Sequence, residues 1–226
     1  MYVCKLADSH GSSEYTGMCY AEKNWGNGFP QKWAWLQCNS FPGQPYLAVT
    51  AAAAVRNLFN VPGVEEEVGL IGIHHEGKFY DLGVMNGRMR WSIDPWGKWN
   101  LWAKGDDFEA LIEASCDDDA GVRLRAPTAT EGLSPSCKDT FAANVRLRLW
   151  ALDRTGIRKT DPIVDSVSSS CAAEVGGGPW WDSWEREAKV NDLVGLALKV
   201  PIDDALSAIE EHSPVQLPSV LLPPGY

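Results

Sequence analysis

Residues 70–82, Leu-Ile-Gly-Ile-His-His-Glu-Gly-Lys-Phe-Tyr-Asp-Leu, contain the pattern that decides the fold. Two short runs rich in aliphatic and aromatic residues flank Glu76-Gly77, a pair suited to a tight hairpin turn. Asn86-Gly87 follows and predicts a second hairpin, with Arg88 to Ile93 as its returning strand. Because hairpins join neighbouring strands, we expect antiparallel pairing here.

The same two-residue period continues over much of the chain and predicts further strands. They are expected at residues 33–39, 98–103, 108–116, 122–125, 138–152 and 163–175. About eight antiparallel strands in a chain of this size close most economically into a barrel, because closure removes exposed sheet edges. We therefore predict an all-β fold, an antiparallel barrel with a C-terminal helical segment.

Three regions follow from this pattern. Residues 1–20 are expected to be irregular, the broken end of a longer chain, and residues 21–190 to form the β-barrel domain. Leucine and alanine spacing between Asn191 and Glu211, interrupted at Pro201, predicts helices. Residues 191–226 are thus expected to form a helical and Pro-rich tail.

Composition excludes several classes of function. The 226 residues include 20 Lys and Arg against 30 Asp and Glu, a net charge of -10, which argues against nucleic acid as a partner. The six cysteines include no C-x-x-C pair, so no metal site is predicted. No apolar run approaches the ~18 residues of a spanning helix, and Met1 to Asp8 has no signal or transit sequence.

Tryptophan is the unusual residue, with 11 copies spread over nearly every predicted strand. One interpretation is ordinary core packing with the indole N–H groups paired. The other is an aromatic sleeve around a hydrophobic ligand, whose π faces could stabilise a carbocation. Composition alone leaves both open.

One carboxyl group stands out on the predicted strand 139–151. The odd positions of this strand are apolar apart from Asp139, so Asp139 is expected to share the apolar face, where burial would raise its pKa and let it act as an acid. The alternative is that Asp139 lies in water at the mouth of the barrel.

The alternation of residues along the predicted strands leaves the orientation of two other titratable residues ambiguous. Glu174 ends a predicted strand, on the face of Ser166, Ser168 and Ser170, and precedes Gly176 to Gly178, a run that predicts a bulge or a close backbone passage. His74 has a neighbour, His75, that must point to the opposite face, so the two cannot bind one metal. His74 is either an ordinary histidine or a general base.

A family resemblance is carried by residues 21–39. The runs Ala-Glu-Lys-Asn-Trp-Gly (21–26), Phe29-Pro30 and Lys-Trp-Ala-Trp-Leu-Gln-Cys-Asn (32–39) closely resemble the tocopherol cyclase family. The resemblance continues at His74, Gly77-Lys78, Asn86-Gly87, Arg90-Trp91, Pro95-Trp96-Gly97, Leu124 to Thr128, Gly132-Leu133, Cys137-Lys138-Asp139, Glu174 to Trp180 and Pro223-Pro224-Gly225. Family members are about twice as long, and a motif like E-G-W-Y in their N-terminal half has no match here. The chain therefore resembles the C-terminal half.

The resemblance implies a fold and an activity. The fold is a lipocalin-like (calycin-type) β architecture, related to that of carotenoid hydratases. The activity is an isomerase reaction that closes methyl- and dimethyl-phytylbenzoquinols to tocopherols, with no cofactor. It also implies a plastid location, at plastoglobules or thylakoids, and a greasy prenylated quinol substrate that favours peripheral association with membranes or lipid droplets.

The reaction requires an acid for the prenyl alkene, an aromatic pocket for the cation, and an acceptor for the phenolic proton. Among the carboxyl groups that match the family, Asp139 is the preferred acid, with Glu22 and Glu174 as the other candidates, and His74 is a candidate acceptor. The candidate substrate-binding residues are Trp25, Trp33, Trp35, Trp91, Trp96, Trp180 and Arg90.

Two alternatives stay open. A carotenoid hydratase-like enzyme would use the same protonation but let water attack the cation. A non-catalytic fragment could instead bind a prenyl lipid or quinone, an interpretation favoured by the missing N-terminal half.

Overall fold

The computed structural model of the chain describes residues 2–8, 11–17, 19–23, 29–57, 65–128 and 132–189. Thirteen β-strands make up this described part. They are β1 (Tyr2–Asp8), β2 (Gly11–Gly17), β3 (Lys32–Cys38), β4 (Ala48–Asn57), β5 (Glu65–His75), β6 (Lys78–Gly83), β7 (Arg88–Ile93), β8 (Lys98–Lys104), β9 (Phe108–Ser115), β10 (Val122–Thr128), β11 (Gly132–Ala151), β12 (Val164–Gly176) and β13 (Trp184–Lys189).

Eleven of these strands form one antiparallel sheet. Its order is β13-β7-β8-β9-β11-β12-β3-β4-β5-β6, and β10 pairs with the beginning of β11. Strand β11 has 20 residues, so its first part can pair with β10 and its last part with β9. The predicted all-β antiparallel fold class is confirmed.

The sheet folds back on itself but does not close. Tyr80 of β6 contacts Phe108 of β9 edge to face, with ring centroids 4.9 Å apart, and Trp184 of β13 donates its indole N–H to Glu67 of β5 at 3.1 Å. Yet no ladder within the described residues joins β6 to β7 or to β13. The structure is thus a lipocalin-like sheet rather than the closed barrel that the strand count predicts. In this part of the chain, no helix has the length and hydropathy needed to span a bilayer.

The hairpin predicted at Glu76-Gly77 is confirmed. His75 pairs with Lys78 across it, and both turn residues have positive φ, 49° for Glu76 and 77° for Gly77. Positive φ at both central positions matches the twist of the two strands, which is why this turn joins β5 and β6 directly.

The second hairpin, predicted at Asn86-Gly87, is wrong. Strands β6 and β7 lie at opposite ends of the sheet order, so this segment connects the two ends instead of turning back. The Asn86 amide donates to the Asp81 carbonyl at 3.0 Å and accepts from the Gly83 N–H at 2.9 Å, which closes the end of β6. A Cβ at Gly87 would overlap the Lys104 carbonyl, so glycine is needed there for a close backbone approach.

Several strands were not predictable from residue type. Strand β4 contains four consecutive alanines at 51–54, a residue depleted in strands, and β13 is mostly charged. The irregular segment expected over residues 1–20 instead contains β1 and β2, which pair with each other as a separate two-stranded sheet. The predicted helical tail at 191–226 and Trp25 lie outside the described residues.

One face of the sheet, which we call the inner face, carries the packed core. On β3 the inner face carries Ala34, Leu36 and Cys38, and the opposite, outer face carries Trp33 and Trp35. The largest fully buried side chains are Trp99, Leu36, Leu47, Ile71, Ile73, Leu82, Met89, Ile93, Leu101, Ile112, Leu147 and Leu149. These residues fill the inside of the folded sheet, as the side chains of a small barrel do.

Two bulges exchange the faces of β11 and β12. On β11, Thr140 pairs with Ala173 and Ala143 with Cys171, so one extra residue lies on β11, and a compensating extra residue on β12 follows before Ser168. Each extra residue reverses the alternation of side chains along its strand. The alternation of residues 143–151, continued back past the β11 bulge, therefore assigns each earlier side chain to the wrong face of the sheet.

Candidate functional site

Asp139 and Glu174 are direct cross-strand partners on β11 and β12. Both lie on the outer face, because Ala173 and Val175, on either side of Glu174, belong to the inner core. The prediction that Asp139 shares the apolar face of residues 143–151 is therefore wrong, and so is the assignment of Glu174 to the face of Ser168. The physical reason is the pair of bulges, which leaves Phe141 78% exposed.

Trp33 holds the carboxylate of Glu174. Its indole N–H donates to Glu174 Oε1. The Trp33 ring lies against Gly176, where a Cβ would overlap ring atoms Cζ2 and Cε2. At Gly177, which has a φ of 78°, a Cβ would overlap the Gln31 carbonyl. The close backbone passage predicted for the glycine run is confirmed, and it brings Trp33 over the sheet next to the acid.

The environment of Glu174 favours its protonated form. Burial raises the pKa of this carboxyl, and the neighbouring Asp139 raises it further, while the hydrogen bond from Trp33 acts in the opposite direction. From the inner side, Trp99 donates its indole N–H to the Glu174 backbone carbonyl at 3.1 Å. A carboxyl of raised pKa on a fixed backbone is suited to donating a proton.

Cys137 completes the cluster. Its thiol donates to Asp139 Oδ1 at 3.0 Å, and burial raises the pKa of the thiol, so the sulfur stays protonated. One ligand atom from each of Cys137, Asp139 and Glu174 lies within 4.8 Å of the others, a spacing that could hold a metal ion. Metal binding would require the thiolate. Trp33 already donates to Glu174, and the two neighbouring carboxyls are also close enough to share one proton.

A small apolar cluster covers the cysteine end of this site. Trp33, Ala126 of β10 and Cys137 are buried together on the outer face, with Phe29 packed against them. The rings of Phe29 and Trp33 meet edge to face with centroids 5.0 Å apart. Strand β10 and the segment before β3 thus exclude water from one side of the acid pair.

The third predicted acid, Glu22, lies at the edge of the same surface. It accepts a hydrogen bond from the Tyr20 hydroxyl and one from the Trp35 indole at 3.3 Å. Trp35 is the β3 residue directly opposite Glu174. The two outer-face tryptophans of β3 therefore contact two different carboxylates, Trp33 that of the half-buried Glu174 and Trp35 that of the exposed Glu22.

His74 is not brought to the acid pair. It lies on β5, three strands away from β12 in the sheet order, which corresponds to about 14 Å at the usual strand spacing. Its exposed ring stacks against Phe79 with centroids 4.5 Å apart. The predicted role of His74 as a proton acceptor thus has no geometric support.

Two of the predicted substrate-binding tryptophans belong to another aromatic cluster. Trp91 is buried in the core and meets Trp184 edge to face at 5.3 Å, and Trp180 contacts the same Trp184 at 5.9 Å. The ammonium of Lys32 lies 4.0 Å from the Trp180 ring centroid. Trp91 thus packs in the core, although its indole N–H has no hydrogen-bond partner among the described residues.

Trp96 and Arg90 also have structural partners. Trp96 lies beneath the Lys138 ammonium at 4.0 Å and donates its indole N–H to the Asp117 carbonyl at 3.3 Å. Arg90 lies over the Trp102 ring at 4.8 Å and pairs with Glu187 at 3.0 Å. Of the predicted binding residues that the structure describes, only Trp33 and Trp35 flank the acid pair.

Sequence reasoning missed a role for Cys137 and Gly176. The signal for Cys137 was available, because residues two apart on a strand share a face and Cys137 precedes Asp139 by two. Gly176 likewise follows Glu174 by two. The sequence does not show which face of the sheet Cys137 shares with Asp139, or Glu174 with Gly176, because no residue type marks the bulges.

The chain matches known proteins over most of its length. The family model described as "Tocopherol cyclase-like" matches residues 12–177. The chain is 40% identical over 207 residues to "Tocopherol cyclase, chloroplastic" of Zea mays, covering 91% of this chain and 41% of that protein. It is also 40% identical over 207 residues to "Probable tocopherol cyclase, chloroplastic" of Oryza sativa subsp. japonica, covering 91% and 42%. No solved structure matches this chain significantly.

Proposed function

Because the chain belongs to the tocopherol cyclase-like family, we propose that it converts phytylbenzoquinols, the methyl- and dimethyl- forms, to tocopherols. The observation that carries this proposal is the pairing of Asp139 with Glu174, whose pKa is raised by burial and by the neighbouring carboxyl. Two adjacent carboxyls, one of them with a raised pKa, can supply both an acid and a proton acceptor at one place.

The proposed reaction is an isomerisation in which atoms balance without an oxidant or cofactor. The Glu174 carboxyl gives its proton to the less substituted carbon of the prenyl alkene, so the alkene π pair forms the new C–H bond and a tertiary cation remains. The ortho phenol oxygen of the same substrate attacks this cation and forms the C–O bond of the chromanol ring. The phenolic proton passes to the Asp139–Glu174 pair, which restores the starting state.

The surroundings of the acid suit a cation that must not meet water. Trp33 and Trp35 lie on the same face as Glu174 and offer π faces, which attract a cation within about 6 Å of a ring centroid. The packing of Phe29 and Ala126 around Trp33 excludes water from one side of the acid pair. Glu174 replaces Asp139 as the proposed acid, and Asp139 takes the acceptor role first considered for His74.

The relatives named above are chloroplast proteins. We extend this to a plastid location for the chain, at plastoglobules or thylakoids, and to a prenylated quinol as its small-molecule partner. The apolar prenyl tail of that substrate supports peripheral contact with membranes or lipid droplets.

The test is to incubate the chain with a phytylbenzoquinol in detergent micelles made up in heavy water. Chromanol carrying one carbon-bound deuterium, identified by mass spectrometry, is the expected product, because the label enters where the acid protonates the alkene. A labelled tertiary alcohol would instead favour the hydratase-like alternative. Unlabelled chromanol would contradict protonation by an exchangeable carboxyl.

One observation favours a second candidate function. The chain spans only 41% and 42% of the two relatives, so more than half of each relative lies outside the match. A fragment that binds a prenyl lipid or quinone without turning it over is consistent with that. If the chain alone makes no product, the same assay on a protein extended by the N-terminal half separates the two, because only an incomplete enzyme regains activity.

A further inference from the structure

Gln37 has a buried amide with no partner. It lies on the outer face of β3, next after Trp33 and Trp35 in the alternation, and is 7% exposed. Its Nε2 has no hydrogen-bond partner in the part of the chain that the structure describes. A buried amide N–H left unpaired loses its hydrogen bond to water without replacement, so such groups usually have a ligand or a structural partner.

The position of this amide relates it to the proposed acid. Gln37 pairs with Ala172 on β12, two residues from Glu174 on the same face of that strand. Two residues along a strand correspond to about 7 Å. The other cross-strand neighbour is Thr50 of β4. Neither neighbour, Ala172 or Thr50, provides a hydrogen-bond partner for Gln37 Nε2.

We propose that the Gln37 amide donates a hydrogen bond to the hydroxyl oxygen of the substrate ring that does not take part in ring closure. This inference rests on the proposed function, since it concerns a quinol bound with its prenyl alkene at Glu174. The two hydroxyls of a 1,4-benzoquinol lie across the ring from each other. In the proposed pose the reacting hydroxyl lies near Glu174 and the ring is oriented along the strand direction, so that the other hydroxyl lies toward Gln37.

Gln37 is then a specificity-determining residue. A site with a buried donor for a substrate oxygen discriminates against an analogue that lacks this oxygen, because the donor is left unpaired again. The chain would therefore prefer quinols to simple prenylated phenols, although both contain the hydroxyl that closes the ring.

The test compares two probes: a phytylbenzoquinol and the matching phytylphenol, which lacks only the non-reacting hydroxyl. Dissociation constants are measured by quenching of tryptophan fluorescence in micelles, which requires no turnover. We expect the natural chain to bind the quinol at least about tenfold more tightly. Gln37→Met, which keeps the length but removes the donor, should bind both probes equally, at the level of the phytylphenol.

Gln44→Met is the matched control, because Gln44 lies in the turn before β4, away from the acid pair, and it should keep the preference. Gln37→Leu serves as a second variant, and thermal melting identifies any variant that does not fold. A purely structural Gln37 would lower stability without changing the ratio of the two dissociation constants.

Three results would overturn the inference: equal binding of both probes by the natural chain, no binding of either, or an unchanged preference in both Gln37 variants. Chromanol formation is scored separately in heavy water. Quinol preference without chromanol would therefore count against the proposed reaction while supporting the role of Gln37, and chromanol without quinol preference would do the reverse.

Discussion

Asp139 and Glu174 pair across β11 and β12, and one extra residue at a bulge in each strand places this pair on the outer face. Without the β11 bulge, Asp139 would point into the core with Val145 and Leu147, where an ionised carboxylate is costly. With it, Asp139 and Glu174 meet on the outer face beside Trp33, and Asp139 raises the pKa of Glu174. Bulges often re-aim side chains in this way next to functional sites.

Glu174 should reduce the stability of the protein above its pKa. Since burial raises this pKa in the folded state, folding takes up a proton, and stability falls as the pH rises from the unfolded value, about 4.3, through the folded value. Glu174→Gln removes this penalty. The variant should gain melting temperature relative to the natural chain at pH 8 and little at pH 4, measured by circular dichroism.

The exposed Glu65 provides the control for this experiment, because Glu65→Gln should change melting temperature by a similar small amount at both pH values. A gain for Glu174→Gln that was equal at pH 4 and pH 8 would contradict the raised pKa.

Trp33→Phe should move the pH dependence of catalysis. The indole N–H stabilises the carboxylate form of Glu174, so its removal raises the pKa further and keeps the acid protonated to higher pH. The alkaline limb of the pH–rate profile is therefore expected to shift upward even if the maximal rate drops. Trp102→Phe is the control, because Trp102 donates to a different carboxylate, Glu109, at 2.5 Å. A shift of the limb to lower pH would contradict the role given to Trp33.

Gly176→Ala should displace the Trp33 ring. The added Cβ overlaps ring atoms, and the φ of Gly176 is not positive, so the effect comes from space alone. Overpacking of this kind costs about 1–3 kcal/mol, and loss of the Trp33 contact should also lower the rate. Gly105→Ala is the matched change, because its Cβ would come no closer than 3.4 Å to its neighbours. Urea unfolding of both variants measures the difference, and equal stabilities would refute the steric account.

Glu109 should stabilise the outer face of β8 and β9. Its side chain is 7% exposed and accepts from Arg158 at 2.6 Å and from Trp102. Burial alone would raise the pKa of Glu109, but these donors and Lys104 outweigh it and lower the pKa. Glu109→Gln should therefore reduce the free energy of unfolding at pH 7 by about 1–3 kcal/mol.

The pH dependence tests the cause of that loss. A lowered carboxyl pKa contributes stability above the unfolded value and loses it as the pH falls through the folded value. The difference between Glu109→Gln and the natural chain should thus shrink in acid. Glu113→Gln, which removes a more exposed ion pair with Arg148, should cost about 1 kcal/mol or less. A loss for Glu109→Gln that stayed constant down to pH 3 would point to packing instead of charge.

Local patterns predicted much of the sheet. The alternation of Leu147 and Leu149 with Arg146 and Arg148 is observed, and Glu76-Gly77 turns as its residue types require. The hairpin prediction at Asn86-Gly87 failed because the pairing of strands across the whole sheet decides whether a segment forms a hairpin or a crossing connection. That choice is made by long-range packing, which a two-residue signal does not contain.

The sequence predicted which residues form the candidate site but not how they are arranged. Asp139, Glu174 and Trp33 were all named from the sequence, yet their common face depends on two bulges, opposite residues 140–143 and 143–145 of β11, that no residue type marks. A one-residue change of register moves every following side chain to the other face. Glu174, and not Asp139, is therefore the proposed acid. Glu174 lies between Trp33 and Trp99, and its burial raises its pKa.

The most direct test of the account is the rate at which deuterium-labelled chromanol forms in heavy water with the natural chain and with Glu174→Gln. It is measured on the shortest form of the protein that shows turnover, with Glu65→Gln as the control. The account predicts that Glu174→Gln loses about a hundredfold or more in rate, as expected when a general acid is removed, while it keeps its fold and the control keeps its rate. Labelled chromanol formed by Glu174→Gln at the natural rate would contradict the central claim that this carboxyl protonates the alkene.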